Sequence, residues 1–129
     1  MYHPCQVTFR VLDWHLNMVA TILRQVVGRE NEARASTVLV SAFRTQIVRA
    51  LGEGRWRFAD HFCDKLLAED PRNLEALLWK AHLAWRYFQD APSALAYFRR
   101  VLILGGFESS NEYVARAQNS LAQLLEQLS

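Results

Sequence analysis

The residues of this chain best suited to metal binding or acid–base chemistry are four histidines, two cysteines and thirteen carboxylates spread over 129 residues. His61 and Cys63 come nearest to a ligand pair. They stand two positions apart in a stretch with helical patterning, where that offset turns one side chain about 200° from the other and keeps both off one ion. Asp60 and Asp64 do share a helical face, and with His61 beside them they offer donors to a cation. His3 and Cys5 make a second short pair near the N-terminus. Gly52-Glu53-Gly54 lacks the further glycines and the lysine of a phosphate loop and reads as a turn. No serine, histidine and acid fall in a pattern that would build a nucleophile. The inventory predicts no enzyme, no metal and no cofactor, and it points to binding.

The elements that would position a binding surface are helical. Fifteen basic against thirteen acidic side chains leave +2, too little to demand nucleic acid or an acidic membrane, and 51% hydrophobic residues suffice for one core. The charge is uneven. Residues 1–57 carry eight basic and four acidic groups (+4), and residues 58–129 carry seven and nine (−2). Cys5 and Cys63 are too few and too far apart for a disulfide framework. His15, Asn17, Arg24 and Gln25 interrupt the apolar N-terminal run, so neither a membrane span nor a leader is expected, and a cytoplasmic location follows.

Along the chain, Val7, Phe9 and Val11 alternate with polar residues as a short arm would, and a first helix then runs from Asp13 to about Gly28. The charged run Arg29–Arg34 predicts a break near Glu30. Ser36 or Thr37 would cap a second helix with Leu39, Ala42, Phe43, Ile47, Ala50 and Leu51 on one face, closed by the double glycine at 52 and 54. A third helix spans about 55–69, and Asp70-Pro71 stops it. The fourth, about 73–88, has the strongest amphipathic pattern, in Leu74, Leu77, Leu78, Ala81, Ala84, Trp85 and Phe88. Asp90 caps a fifth helix with Pro92 in its first turn, and a sixth follows Ser109-Ser110. One domain over 1–129 is expected: an arm and extra helix over 1–30, two helix pairs over 35–104 and a terminal helix over 108–128.

Two of these pairs repeat. Ala59, Cys63 and Leu66 have the same four-then-three spacing as Ala94, Phe98 and Val101, thirty-five positions later, and Ala81 is followed by Ala117 after thirty-six. A period near 34 residues marks stacked helical hairpins. With Pro71 between the units, residues 35–128 resemble the tetratricopeptide repeat (TPR) family over one and a half to two repeats. The resemblance implies an all-α fold of about six helices, in which antiparallel helix-turn-helix pairs stack as a short right-handed solenoid and the sixth helix caps it. It also implies that Ala59, Cys63, Leu66, Ala81, Ala94, Phe98, Val101 and Ala117 are packing positions. The chain departs from the family where Gly106 replaces a second proline and where the first helix finds no match.

In that family the first helix of each pair lines the concave side. Carried over, the fourth helix would present Glu75, Leu78, His82, Trp85 and Arg86 to a peptide, and the sixth Asn111, Val114, Gln118 and Leu121, the last of which reads also as a core residue. Trp85 reads equally as a core aromatic, and Trp79 as a covered or a contact residue. Arg44 and Arg49 would extend a basic lining suited to an acidic peptide. The function this implies is protein–protein interaction, in a small adaptor or chaperone of the kind found in bacterial secretion and pilus systems, holding a partner's peptide or helix in a groove. Alternatives are a nucleic-acid binder using the basic N-terminal half and a subunit of a homo-oligomeric or secretion-type assembly. The first helix, richer in apolar residues than one stripe needs, would cover a stack end, fill the groove, or pair with a second copy as a homodimer.

Overall fold

The computed structural model describes residues 16–23, 28–108 and 110–129. The arm expected at 7–11 and the His3–Cys5 pair lie outside them. Among the described residues the regular structure is helical throughout, so the chain is all-α. Helix α1 is described over 16–23. It is followed by α2 (Gly28–Gly52), α3 (Trp56–Glu69), α4 (Leu74–Arg86), α5 (Ala91–Leu104) and α6 (Glu112–Leu128). Packing divides the chain into two units, Met1–Val38 and Leu39–Ser129. In the first, Leu16, Val19, Ile22 and Leu23 are exposed. The core described below belongs to the second.

The break expected near Glu30 does not occur, because α2 runs 25 residues through the charged segment. Its interior lacks glycine and proline, and glutamate, alanine and arginine are good helix formers. Thr37 is not a cap. It lies inside the helix, where its hydroxyl donates back to the Ala33 carbonyl at 2.8 Å.

The later boundaries have local causes. Gly54, at φ 73°, turns the chain after α2, and the Arg55 N–H returns to the Ala50 carbonyl at 2.9 Å. Asn73 caps α4 by accepting from the Ala76 N–H at 2.9 Å, and Asp90 caps α5 by accepting from the Ser93 N–H at 3.2 Å. Helix α4 ends two residues earlier than its apolar pattern suggests. The Asp90 N–H closes on the Ala84 carbonyl at 2.8 Å with Gln89 at φ 52°, a left-handed turn that releases Tyr87 and Phe88 from the helix. Phe88 is therefore exposed instead of continuing the buried stripe.

Two buried clusters share α4. One joins Leu77, Leu78, Ala81 and Ala84 to Ala94, Phe98, Val101 and Leu102 of α5 and to Val114, Ala117 and Leu124 of α6. The other joins Ala76 and Leu83 to Ile47 and Ala50 of α2 and to Ala59, Cys63 and Leu66 of α3. Contacts run in chain order, α3 on α4, α4 on α5, α5 on α6, with α6 also reaching α4. All eight positions matched by the repeat spacing are at most 1% exposed. Gly105 lets α6 close in, since a Cβ there would lie 2.2 Å from Val114 Cγ2 and 2.9 Å from the Val101 carbonyl oxygen.

The fully buried methyl group of Ala94 sets the approach of its helix to the α4 and α6 side chains of the same cluster. Ala94→Leu is expected to lower stability by about 1–3 kcal/mol through overpacking, measured by urea denaturation. A neutral substitution would mean that the helices separate there without cost.

Candidate functional site

A cleft of about 400 Å³ lies above α4. Its floor is Leu78 and Leu83, both buried, and the α4 residues Glu75, Trp79, His82 and Arg86 rise beside them. Leu51 and Trp56 close one side, Tyr113 and Arg116 of α6 the other, and Tyr87 one end. The wall is built by the early end of α4. Freed from the helix, Tyr87 stacks on Trp56 with ring centroids 3.8 Å apart and planes at 18°.

The two ends differ in charge. At one, Arg44 Nε donates to Glu75 Oε1 at 2.6 Å, Nη2 donates to Oε2 at 3.3 Å, and the Tyr113 hydroxyl donates to Oε2 at 3.4 Å. That carboxylate is neutralised. Burial, aided by the Glu75 charge, pushes the Tyr113 hydroxyl above its ordinary value, so it remains a donor. The Arg44 guanidinium also lies 5.9 Å from the Trp79 ring centroid.

At the other end Arg86 and Arg116 are exposed, and among the described residues neither forms an ion pair. Between them, burial first and then the charges of Arg86 and Arg116 hold the His82 imidazole below its usual value, which keeps it neutral near pH 7. The ring meets Phe98 edge-on at 5.3 Å. An aromatic cleft thus ends in two exposed guanidinium groups that have no ion-pair partner among the described residues, and a neutral imidazole. Such a lining binds an apolar or aromatic side chain next to a carboxylate.

Of the residues expected to line a groove, Glu75, Leu78, His82 and Arg86 do so. Trp85 does not. Its indole Nε1 donates to Gln127 Oε1 at 3.0 Å and its ring packs edge-on to Phe98, so it belongs to the core under α5 and α6. Arg86 lies over its ring at 4.5 Å. Asn111 is the N-cap of α6, accepting from the Tyr113 and Val114 N–H groups at 2.9 and 3.4 Å. Val114 is fully buried, and Gln118 is half-buried and not part of the cleft lining.

The face of α6 at the cleft carries Tyr113 and Arg116, two positions away from the one that analogy with α4 selects. Helix α4 forms the floor, whereas α6 is a flank and shows only the edge turned toward α4. Trp56 and Tyr87 are unmarked in the sequence for another reason. Trp56 sits on the buried stripe of α3, and Tyr87 follows the last helical residue of α4, so neither carries a groove signal in its own segment. The unusual density of tryptophan and tyrosine around the two turns was the available hint.

No match to this chain is found among family models, curated proteins or solved structures.

Elsewhere the candidate chemistry closes up. The cation between Asp60 and Asp64 is the chain's own. Lys80 Nζ lies 2.7 Å from Asp60 Oδ1 and 2.8 Å from Asp64 Oδ1, and 5.4 Å from the Tyr97 ring centroid. Cys63 is fully buried, and burial, with the Asp60 charge behind it, pushes its thiol up to about 12, which makes it inert. Among the described residues no helix is long and apolar enough to cross a membrane.

Proposed function

We propose that this protein is a protein–protein interaction module, a small TPR-like adaptor or chaperone whose cleft holds a short acidic segment of a partner chain. The observation that carries the reading is the unequal pairing of charge around the cleft. Glu75 is held by Arg44 and Tyr113, while Arg86 and Arg116 are left for a ligand. The tetratricopeptide reading is supported by the chain-ordered packing of helices and by the burial of the small residues at the repeat spacing. In this reading α3 and α5 are the outer helices, and α2, α4 and α6 form the inner wall.

The ligand chemistry follows from the lining. A tryptophan or long apolar side chain of the partner would rest on Leu78 and Leu83 between Trp79 and the Trp56–Tyr87 stack. A neighbouring glutamate or aspartate would be held by the two guanidinium groups. The test is fluorescence anisotropy with a labelled peptide carrying one tryptophan flanked by glutamates. Replacing Arg86 and Arg116 together by glutamate is expected to weaken binding at least about tenfold, equivalent to about 1.4 kcal/mol. The melting temperature should stay near that of the parent, because both side chains are exposed. Equal affinity in parent and variant would remove the acidic-segment reading.

A further inference from the structure

Trp85 is not part of the cleft lining, yet its indole lies against two groups that are. The Arg86 guanidinium sits over the ring, 4.5 Å from its centroid, and the His82 ring stacks beside it at 6.2 Å with the planes at 28°. The indole is itself pinned by other helices. Phe98 of α5 meets it edge-on at 6.2 Å, and its Nε1 donates at 3.0 Å to Oε1 of Gln127, forty-two residues along the chain in the last turn of α6.

Contact with the ring leaves the donors of Arg86 free. A guanidinium over an aromatic ring uses its flat surface, while its N–H groups point outward in its own plane, where a carboxylate can meet two of them at once. Arg86 is exposed and has no ion-pair partner among the described residues, so the indole is the contact that limits its rotamers. His82 is half-buried and also held edge-on by Phe98 at 5.3 Å, and it depends on the indole less. An arginine that a ligand must first immobilise loses side-chain entropy corresponding to about two- to tenfold in affinity. One already held loses less.

We propose that Trp85 is a positioning residue of the cleft, which presets the Arg86 guanidinium for a carboxylate of the partner, and that Gln127 fixes the indole for this purpose. The proposal rests on the acidic-segment reading of the cleft and adds to it two residues outside the lining. The last turn of α6 thereby acts on affinity without meeting the ligand. Because the effect reaches the ligand through Arg86, it disappears when the guanidinium is removed.

The experiment is a double-mutant cycle on the full chain, read by anisotropy with the labelled peptide of one tryptophan flanked by glutamates. Gln127→Met keeps the stem and removes the acceptor, and Trp85→Leu removes the ring. Each is expected to weaken binding about two- to tenfold in the parent background and to change nothing in an Arg86→Met background, where Arg116 remains to hold the peptide. In Gln127→Met the Trp85 indole N–H resonance should move upfield while the melting temperature stays near that of the parent, since Gln127 is exposed. Should Trp85→Leu melt too low to titrate, Gln127→Met decides alone. Losses of equal size in both backgrounds, or a Gln127→Met protein that binds as the parent does, would overturn the proposal while leaving the acidic-segment reading intact. An Arg86→Met protein with the parent's affinity would instead remove Arg86 from that reading, and the positioning role with it.

Discussion

Phe98→Ala is expected to remove about 3–5 kcal/mol, the largest loss from any single substitution discussed for this chain. The ring is fully buried and meets His82 and Trp85 edge-on, at centroid distances of 5.3 and 6.2 Å. It also packs among the α4, α5 and α6 residues of one cluster. Truncation would remove the transfer free energy of the ring and leave a cavity that three helices with alanine contacts cannot easily collapse. Domains of this size hold about 5–15 kcal/mol in all, so the variant should unfold at much lower urea concentration or fail to accumulate. Phe98→Leu, which fills most of the volume, should lose far less. A loss below about 1 kcal/mol for the alanine variant would show that the core is not closed around this ring.

Lys80→Met is the second. The residue is only 8% exposed, and its ammonium bridges Asp60 and Asp64 across the α3–α4 contact. Methionine keeps the apolar stem but leaves a largely covered Asp60 carboxylate without its partner. Removing one member of a buried pair costs about 3–5 kcal/mol, and because the Asp64 side chain is 60% exposed the expectation here is about 2–3 kcal/mol. Adding Asp60→Asn to Lys80→Met should recover part of the loss, and the double-mutant cycle measures the coupling.

The same bridge sets an alkaline limit. Burial opposes the ammonium charge, yet the hydrogen bonds and charges of the two aspartates outweigh it and raise Lys80 above its ordinary value of 10.5. A group raised on folding stabilises fully below its unfolded value, and that contribution disappears as pH climbs toward the folded one. The melting temperature of the parent should therefore begin to lose the contribution above about pH 10.5, and Lys80→Met should lack that component of the decline. Parallel decline in both proteins would assign the alkaline loss to other groups.

The helices themselves were legible because their signals are local. Asp90 with Pro92 marks a helix start, Asp70-Pro71 a stop, and the double glycine after Leu51 a turn, each through backbone geometry within a few residues. The thirty-five-residue offset between Ala59 and Ala94 was also visible, because a small side chain is needed wherever helices approach closely. Ala76 and Leu83 were not. They lie off the main apolar face of α4, and only the discovery that this helix is covered on two sides explains why both are buried.

The candidate site was half legible. Glu75, Leu78, His82 and Arg86 follow from one face of α4 that flanks its strongest stripe and shares Leu78 with it. Trp85, one position before Arg86, points instead into the contact with Gln127 of α6. A helix places side chains every 100°, so a single step decides between cleft and core, and periodicity defines a face no more finely than that.

What the sequence determined by itself is the all-helical class, most helix limits and the alanine positions at which helices meet, because propensity, capping and spacing act over one or two turns. Which charges remain available was decided only in three dimensions. Arg44 finds Glu75 thirty-one residues away and Lys80 finds Asp60 across twenty, while Arg86 and Arg116 are left without such partners among the described residues. Local sequence carries no record of these pairings, since the partners become neighbours only after the hydrophobic faces have packed and fixed the helices side by side.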